Sequence, residues 1–122
     1  MLRRVIRDMQ FRNYSPRSTI AHWSLVRRAE LRYIVPELRR AHALVNSFLP
    51  YELPIMKSRL HAALVPLLSE FKAEGEDSQE AFERASRVRA LFEQIPGVSD
   101  ENLVPSQSLL REFIGGSAYE YR

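Results

Sequence analysis

Helical spacing of apolar residues is the feature that most constrains this chain, because it runs through nearly every segment and leaves room for one strand at most. From Pro50 to Phe71, residues Leu53, Met56, Leu60, Leu64 and Leu67 or Leu68 recur every three or four positions, which puts them on one stripe of a helix. Ala81, Phe82, Ala85, Val88, Leu91 and Phe92 do the same between Ser78 and about Ile95. Ile20, Trp23, Leu25 and Val26 define a helix from Pro16 to about Arg32, and Val5, Ile6 and Met9 form the inward side of a first one. Only Ala43 to Ser47 reads as a short buried strand. A lone strand cannot satisfy its own backbone groups, so it needs a sheet that the rest of this sequence does not supply. The expected fold is mainly α with at most one short strand.

Proline, glycine and capping residues divide the pattern. Ser15 suits an N-cap and Pro16 the first helical position, where a missing N–H costs nothing. Pro36 interrupts the second helix, and a short one is expected from there to about His42. Pro54 and Pro66 predict that the helix from Pro50 to Phe71 is broken into two pieces. Glu74 to Asp77, with Gly75, reads as an acidic loop, Ser78 as the next cap, and Pro96 with Gly97 as a stop. Ser106 is a further capping candidate, for a short helix through Leu109, Leu110, Phe113 and Ile114 that ends at Gly115 and Gly116. The tail from Ser117 to Arg122, with Tyr119 and Tyr121, is expected to be loosely held.

The most distinctive chemistry lies in RRVIRDMQFRNYSPRSTI, Arg3 to Ile20. On a helix, Arg3, Arg7 and Gln10 share one side, while Arg4 and Asp8 are four apart and can pair. Arg12, Asn13 and Tyr14 fall in the tight turn that follows. Arginines gathered round one turn suit phosphate, whose oxygens match the planar guanidinium fork. A solvated basic face has the same spacing, and that reading stands beside the first. Charge is unevenly spread: up to Arg40, ten arginines face Asp8, Glu30 and Glu37, a net +7, whereas from Ala41 on eight bases face twelve acids, a net −4. The basic third therefore points to nucleotide phosphate or nucleic acid. Trp23 reads as a core anchor, and His22 has no partner at metal-ligand spacing.

Several chemistries are excluded. No glycine precedes Gly75, so the chain has neither GxxxxGK[ST] nor GxGxxG and cannot cradle a triphosphate by itself in the P-loop manner. The absence of cysteine removes disulfides, thiolate metal sites and thiol catalysis. The three histidines lack HExxH spacing, and no serine sits in a GxSxG elbow. Glu52, Arg111 and Glu112 read as paired structural charges as readily as site residues. No apolar run approaches the roughly 18 residues of a membrane span, and the start lacks a signal-peptide core, so no membrane partner and a cytoplasmic location are expected.

RRVIRDMQFRNYSPRSTIAHW resembles the lid segment of the uridine kinase family, P-loop nucleoside kinases related to phosphoribulokinase, whose pattern is RRxxRDxxxRGxs followed by a helix. Ser24 to Ile34, SLVRRAELRYI, is similar to the SVRRGEExxI segment of a bacterial branch with a longer C-terminal region. Asn46 to Leu53, NSFLPYEL, resembles its NSALxYEL, and Val104 to Ser117, VPSQSLLREFIGGS, its VPxxSxLREFIGGS ending. The resemblance covers nearly the whole chain in order. It implies a fragment of a P-loop α/β kinase without the nucleotide-binding sheet: residues 1–49 as lid helices and the last strand, and 50–122 as a C-terminal helical region. By position, Arg4 would contact the nucleoside and Arg7 and Arg12 the phosphates, where positioned cations stabilise the transferred group as the lid closes. ATP with Mg2+ is the cofactor of the parent enzyme. This chain alone would bind none and would lack catalytic residues, its partners being the nucleotide phosphates, the nucleoside, and the missing P-loop domain or a chain that supplies it. The family glycine after the third arginine is Asn13 here, which tolerates left-handed geometry. A nucleoside-contacting arginine of relatives falls at Tyr14, and an aspartate near the adenine at His42.

An alternative comes from MQFRNYSPRSTIAHW, which also resembles, over about fifteen residues, the opening of the core-binding domain of tyrosine recombinases. It implies a small basic helical module that binds nucleic acid. A third reading is a structural piece whose helices dock on a partner.

Overall fold

Ile55, Met56, Leu60, Leu64, Leu67 and Phe71 are all buried, and their spacing of three and four puts them along one side of a single long helix, Glu52–Ala73. In this computed structural model, which describes residues 1–120, that helix is third in chain order and the first, second and fourth helices pack on it. It follows Leu2–Arg12 (α1) and Pro16–Ala29 (α2), and is called α3. The break expected at Pro54 and Pro66 does not occur. Pro54 lies in the first turn, where backbone N–H groups have no intrahelical acceptor. Pro66 and Ala62, whose carbonyl loses its donor, both face solvent, so water can satisfy the carbonyl. An interior proline costs about 3 kcal/mol. Burial of Leu67 and Phe71 beyond it contributes about 1.5–3 kcal/mol each, enough to carry the helix through.

After a 3-10 turn at Gly75–Ser78, α4 (Gln79–Glu93) packs along α3 and buries Ala81, Ala85, Val88 and Phe92. Of the residues expected on this face, Phe82 is half-buried and Leu91 exposed. Ser78 does not cap α4 through its side chain, because its hydroxyl donates to the Glu74 carboxylate, which also accepts from Arg17. α1 packs against α3 and a short α5 (Arg111–Ile114), and α2 against α1, α3 and α4. Val5, Ile6 and Ile20 belong to the same apolar core as Ile55 to Ile114, so residues on both sides of position 49 share one interior. Met9, expected inward, is exposed; the buried residues of α1 are Val5, Ile6 and Asp8. Trp23 is half-buried at the margin.

The expected strand is absent among the described residues. α2 widens into a π-helical stretch at Glu30–Ile34, tightens to 3-10 geometry at Val35–Arg40 across Pro36, and then becomes irregular, so Ala43 to Ser47 form no ladder. Nothing in the described chain offers them a sheet. Residues 31–48 are exposed throughout.

Two arginines tie the C-terminal segment to the helices. Arg59 forks onto Glu101 (2.7 Å from Nη2), donates to the Ile114 carbonyl at 3.0 Å and to Gln10 at 3.0 Å. Arg111 donates to the carbonyls of Glu101 (2.8 Å) and Val104 (2.7 Å) and to that of Gly115 at 3.3 Å. Gly116 has φ 71°, which favours glycine, and a Cβ there would lie 3.2 Å from Arg111 Nη1, crowding the guanidinium. The REFIGG sequence is thus a local knot that seals Val104, Leu110 and Ile114 into the core. Ser106 caps no helix; Ser108 instead accepts from the Leu110 N–H, and α5 starts at Arg111. Of the tail, Ala118 is anchored by its N–H to the Ser106 carbonyl, and Tyr119 is exposed, while Tyr121 and Arg122 lie outside the described residues.

Two outcomes follow for stability. Phe92→Ala should lower the unfolding free energy by about 3–5 kcal/mol in urea titrations, whereas Leu44→Ala should change it by less than about 0.5 kcal/mol. The hydrogen bonds from Arg59 hold the Glu101 carboxyl below its ordinary value of 4.5. Its contribution is therefore present above that ordinary value and lost as pH falls through the lowered one. The urea midpoint should drop on acidification through this range, and Glu101→Gln should flatten the drop.

Candidate anion-binding site

The turn between α1 and α2 is built by short-range chemistry. Asn13 adopts left-handed geometry, φ 55° and ψ 30°, and its N–H with that of Tyr14 (3.1 Å) closes onto the Asp8 carbonyl. Asn accepts that conformation better than most residues. Ser15 then caps α2, its hydroxyl oxygen accepting from the Ser18 N–H at 3.2 Å, with Pro16 at the first helical position. The result brings Thr19 against Asp8: the threonine hydroxyl donates to Oδ2 at 3.2 Å, and both residues are buried.

Asp8 is the hub of the arginines. Arg4 Nε reaches Oδ2 at 3.4 Å, Arg12 Nη1 reaches Oδ1 at 3.3 Å, and Arg7 Nε stands 3.7 Å from Oδ1. The first two are hydrogen bonds, whereas the Arg7 Nε is buried with no hydrogen-bond partner. The Arg4 and Arg12 side chains are 44% and 50% exposed, so most of their N–H groups remain available to a ligand. Three cations around one carboxylate leave a local charge of +2.

Arg4, Asp8 and Arg12 line one wall of a cleft of about 340 Å³ between the two helices. Ser18, Thr19 and His22 on α2 form the facing wall, with Tyr14 at the turn and Val26 at the far end. The Ser18 carbonyl accepts from His22 Nδ1 at 2.9 Å, which requires the proton on Nδ1 and leaves Nε2 as an acceptor when the ring is neutral.

The structure therefore brings Arg4, Arg7 and Arg12 together, but only Arg4 and Arg12 line the cleft. Arg3, expected beside Arg7, is engaged elsewhere: it donates to Glu52 at 2.7 and 3.0 Å and clamps Ser47 through both its hydroxyl and its carbonyl. Gln10 is taken by Arg59. Tyr14, Ser18, Thr19 and His22 were not identified from the sequence as one wall. The available signal was the four-residue spacing of Ser18 and His22, read together with the cap at Ser15, but their approach to Asp8 depends on how the helices pack.

The donor set fits an oxyanion and does not fit a resident Mg2+. Asp8, the carboxylate of the cleft, is already engaged by arginines, and among the described residues no three His, Asp or Glu side chains are grouped to hold a metal. No helix among the described residues is long and apolar enough to cross a membrane. The chain matches no family model, no curated protein and no solved structure. What the fold and cleft define is a mainly α protein with an arginine-lined, oxyanion-sized recess.

Replacing the hub tests this geometry. Asp8→Asn removes the charge that gathers the arginines and weakens the hydrogen bond to buried Thr19, which should cost about 1–3 kcal/mol in urea unfolding. Arg40→Ala, which breaks the exposed Arg40–Glu37 pair, should cost less than about 0.5 kcal/mol.

Proposed function

We propose that the α1–α2 cleft binds nucleotide phosphate and that this chain serves as the lid and C-terminal helical region of a uridine-type nucleoside kinase, with the P-loop supplied from outside these 122 residues. The observation that carries the reading is the convergence of Arg4, Arg7 and Arg12 on one buried carboxylate beside an open cleft. Asp8 spends one bond on each of Arg4 and Arg12 and so orients their planes without neutralising them. Phosphate oxygens in the cleft would take the remaining guanidinium donors of Arg12 at the turn, and Arg7, which does not line the cleft, would add its charge from the adjacent turn of α1. Arg4, with Tyr14 and His22 near it, would face the nucleoside hydroxyls. Such a lid contributes positioned positive charge to a phosphoryl group in transfer, while the Mg2+ and its ligands come with the P-loop part.

A nucleic-acid module is the second reading, and one observation favours it: Arg28, Arg32 and Arg39 are exposed and form no ion pair among the described residues. ATP competition separates the two. Under the first reading the chain alone holds no resident ATP, but calorimetric titration at low salt detects weak binding of the ATP phosphates in the cleft, which Arg4→Ala or Arg12→Ala weakens further by about 10-fold or more, the loss of charged hydrogen bonds. Arg27→Ala, which touches only the exposed pair with Glu30, should leave it unchanged. The isolated chain should show no ATP-dependent phosphorylation of uridine or cytidine, and turnover would overturn the assignment. Salt-dependent binding to duplex DNA that ATP does not displace would transfer the function to the second reading.

A further inference from the structure

The cleft between α1 and α2 has two chemically unlike walls. On the α1 side, Arg4 and Arg12 offer only N–H donors, because a guanidinium group has no acceptor. On the α2 side stands His22, whose ring is fixed at one nitrogen by the backbone. The Ser18 carbonyl, 2.9 Å from Nδ1, can only accept, so Nδ1 carries a proton and the imidazole is held against its own helix. Nε2 has no hydrogen-bond partner among the described residues, and His22 is exposed. It is the polar atom that the ring has left for a ligand.

What Nε2 does there depends on one proton. On a neutral ring it is a lone pair, which repels the lone pairs of a fully ionised oxyanion and accepts from an O–H. Hydrogen phosphate carries such a hydroxyl near neutral pH and sulfate does not, although both bear two negative charges. On a protonated ring Nε2 donates, and both walls of the cleft then present N–H groups. Among the lining groups, Arg4 and Arg12 less Asp8 give +1, and an imidazolium makes it +2. Histidine is the side chain whose charge ordinarily changes between about pH 5 and 8.

Other charged groups around α2 are engaged elsewhere. Glu70 of α3 and Glu74 at its end pair with Arg17, Arg84 of α4 lies beside Glu80, and Glu30 pairs with Arg27. None of these lines the cleft, so His22 shares it with Arg4, Asp8 and Arg12 of α1 and with the Tyr14 phenol at the turn.

We propose that His22 selects the oxyanion held in this cleft. With a neutral ring it favours an oxyanion that keeps a hydroxyl hydrogen, hydrogen phosphate being the simplest, and with a protonated ring it admits fully ionised dianions such as sulfate. The inference rests on the reading of the cleft as an anion site and adds the residue that sets its specificity.

The test titrates the 122-residue chain with hydrogen phosphate, methyl phosphate and sulfate at constant ionic strength, followed by heteronuclear NMR. At about pH 8 all three are dianions, and only the first has an O–H. Hydrogen phosphate is expected to bind about tenfold more tightly than the other two, the worth of one charge-assisted hydrogen bond. Sulfate keeps its charge down to about pH 5.5, and its affinity should rise about tenfold over that range as His22 gains a proton. By the same linkage, adding sulfate at a fixed pH near 6 should move the His22 ring signals towards imidazolium. His22→Ala should bring hydrogen phosphate down to the level of sulfate and abolish the pH response, whereas a merely structural role would weaken all three anions alike. Arg12→Ala should weaken all three, which marks the anion site itself. No binding of any of the three overturns the anion-site reading and this inference with it. Binding without discrimination, or discrimination and a pH response that survive His22→Ala, overturns the inference alone.

Discussion

Burial of one apolar side of α3 is the constraint on which the rest of the structure depends. α4 packs along it with Ala81 and Ala85, whose small side chains permit close approach, and α1 and α2 rest on what the α3–α4 pair leaves uncovered. The strength of that burial explains why Pro66 is tolerated within the helix. Its local cost is paid on the solvent face, whereas Leu67 and Phe71 beyond it are held in the interior. The same core extends through Val104, Leu110 and Ile114, so the C-terminal segment closes the interior that α1 helps to form.

The cleft depends on this packing at one remove. Asp8 is buried because α1 is pressed between α3, α5 and α2, and a buried carboxylate demands partners. Arg4, Arg12 and Thr19 answer that demand, and in doing so two half-exposed guanidinium groups are oriented along one wall. Arg17, on α2, shows the contrasting case. It lies over the Phe71 ring at 5.6 Å and pairs with Glu70 and Glu74, so its charge is consumed in holding α2 to the end of α3.

The exposed stretch at residues 31–48 is a different physical situation. It carries large apolar side chains, Leu44 and Val45 among them, that the described residues leave exposed. A strand pattern is legible at residues 43–47, but a strand exists only through hydrogen bonds to a neighbour, and the described residues supply none.

Much of the architecture was legible from spacing and punctuation. The α2 cap at Ser15 and Pro16, the left-handed turn residue Asn13, the stripes of α3 and α4, and the glycine stop after Ile114 follow from local rules of backbone geometry and amphipathic burial. The four-residue pairing of Arg4 with Asp8 is likewise a helical property. Other features had no local signature: the exposure of Met9, the continuity of α3, the diversion of Arg3 to Glu52 and Ser47, and the carbonyl knot around Arg111. The α2 wall of the cleft had only the spacing of Ser18 and His22 as a signal, and its approach to Asp8 depends on packing. The sequence by itself determined which segments are helical, where they turn and which third of the chain is basic, because those depend on neighbours a few residues away. Only the tertiary structure decided which arginines remain available to a ligand and which are spent on the fold, because that depends on carboxylates and carbonyls brought from 40 to 60 residues away, as with Arg3 and Glu52 at a separation of 49 or Arg17 and Glu74 at 57.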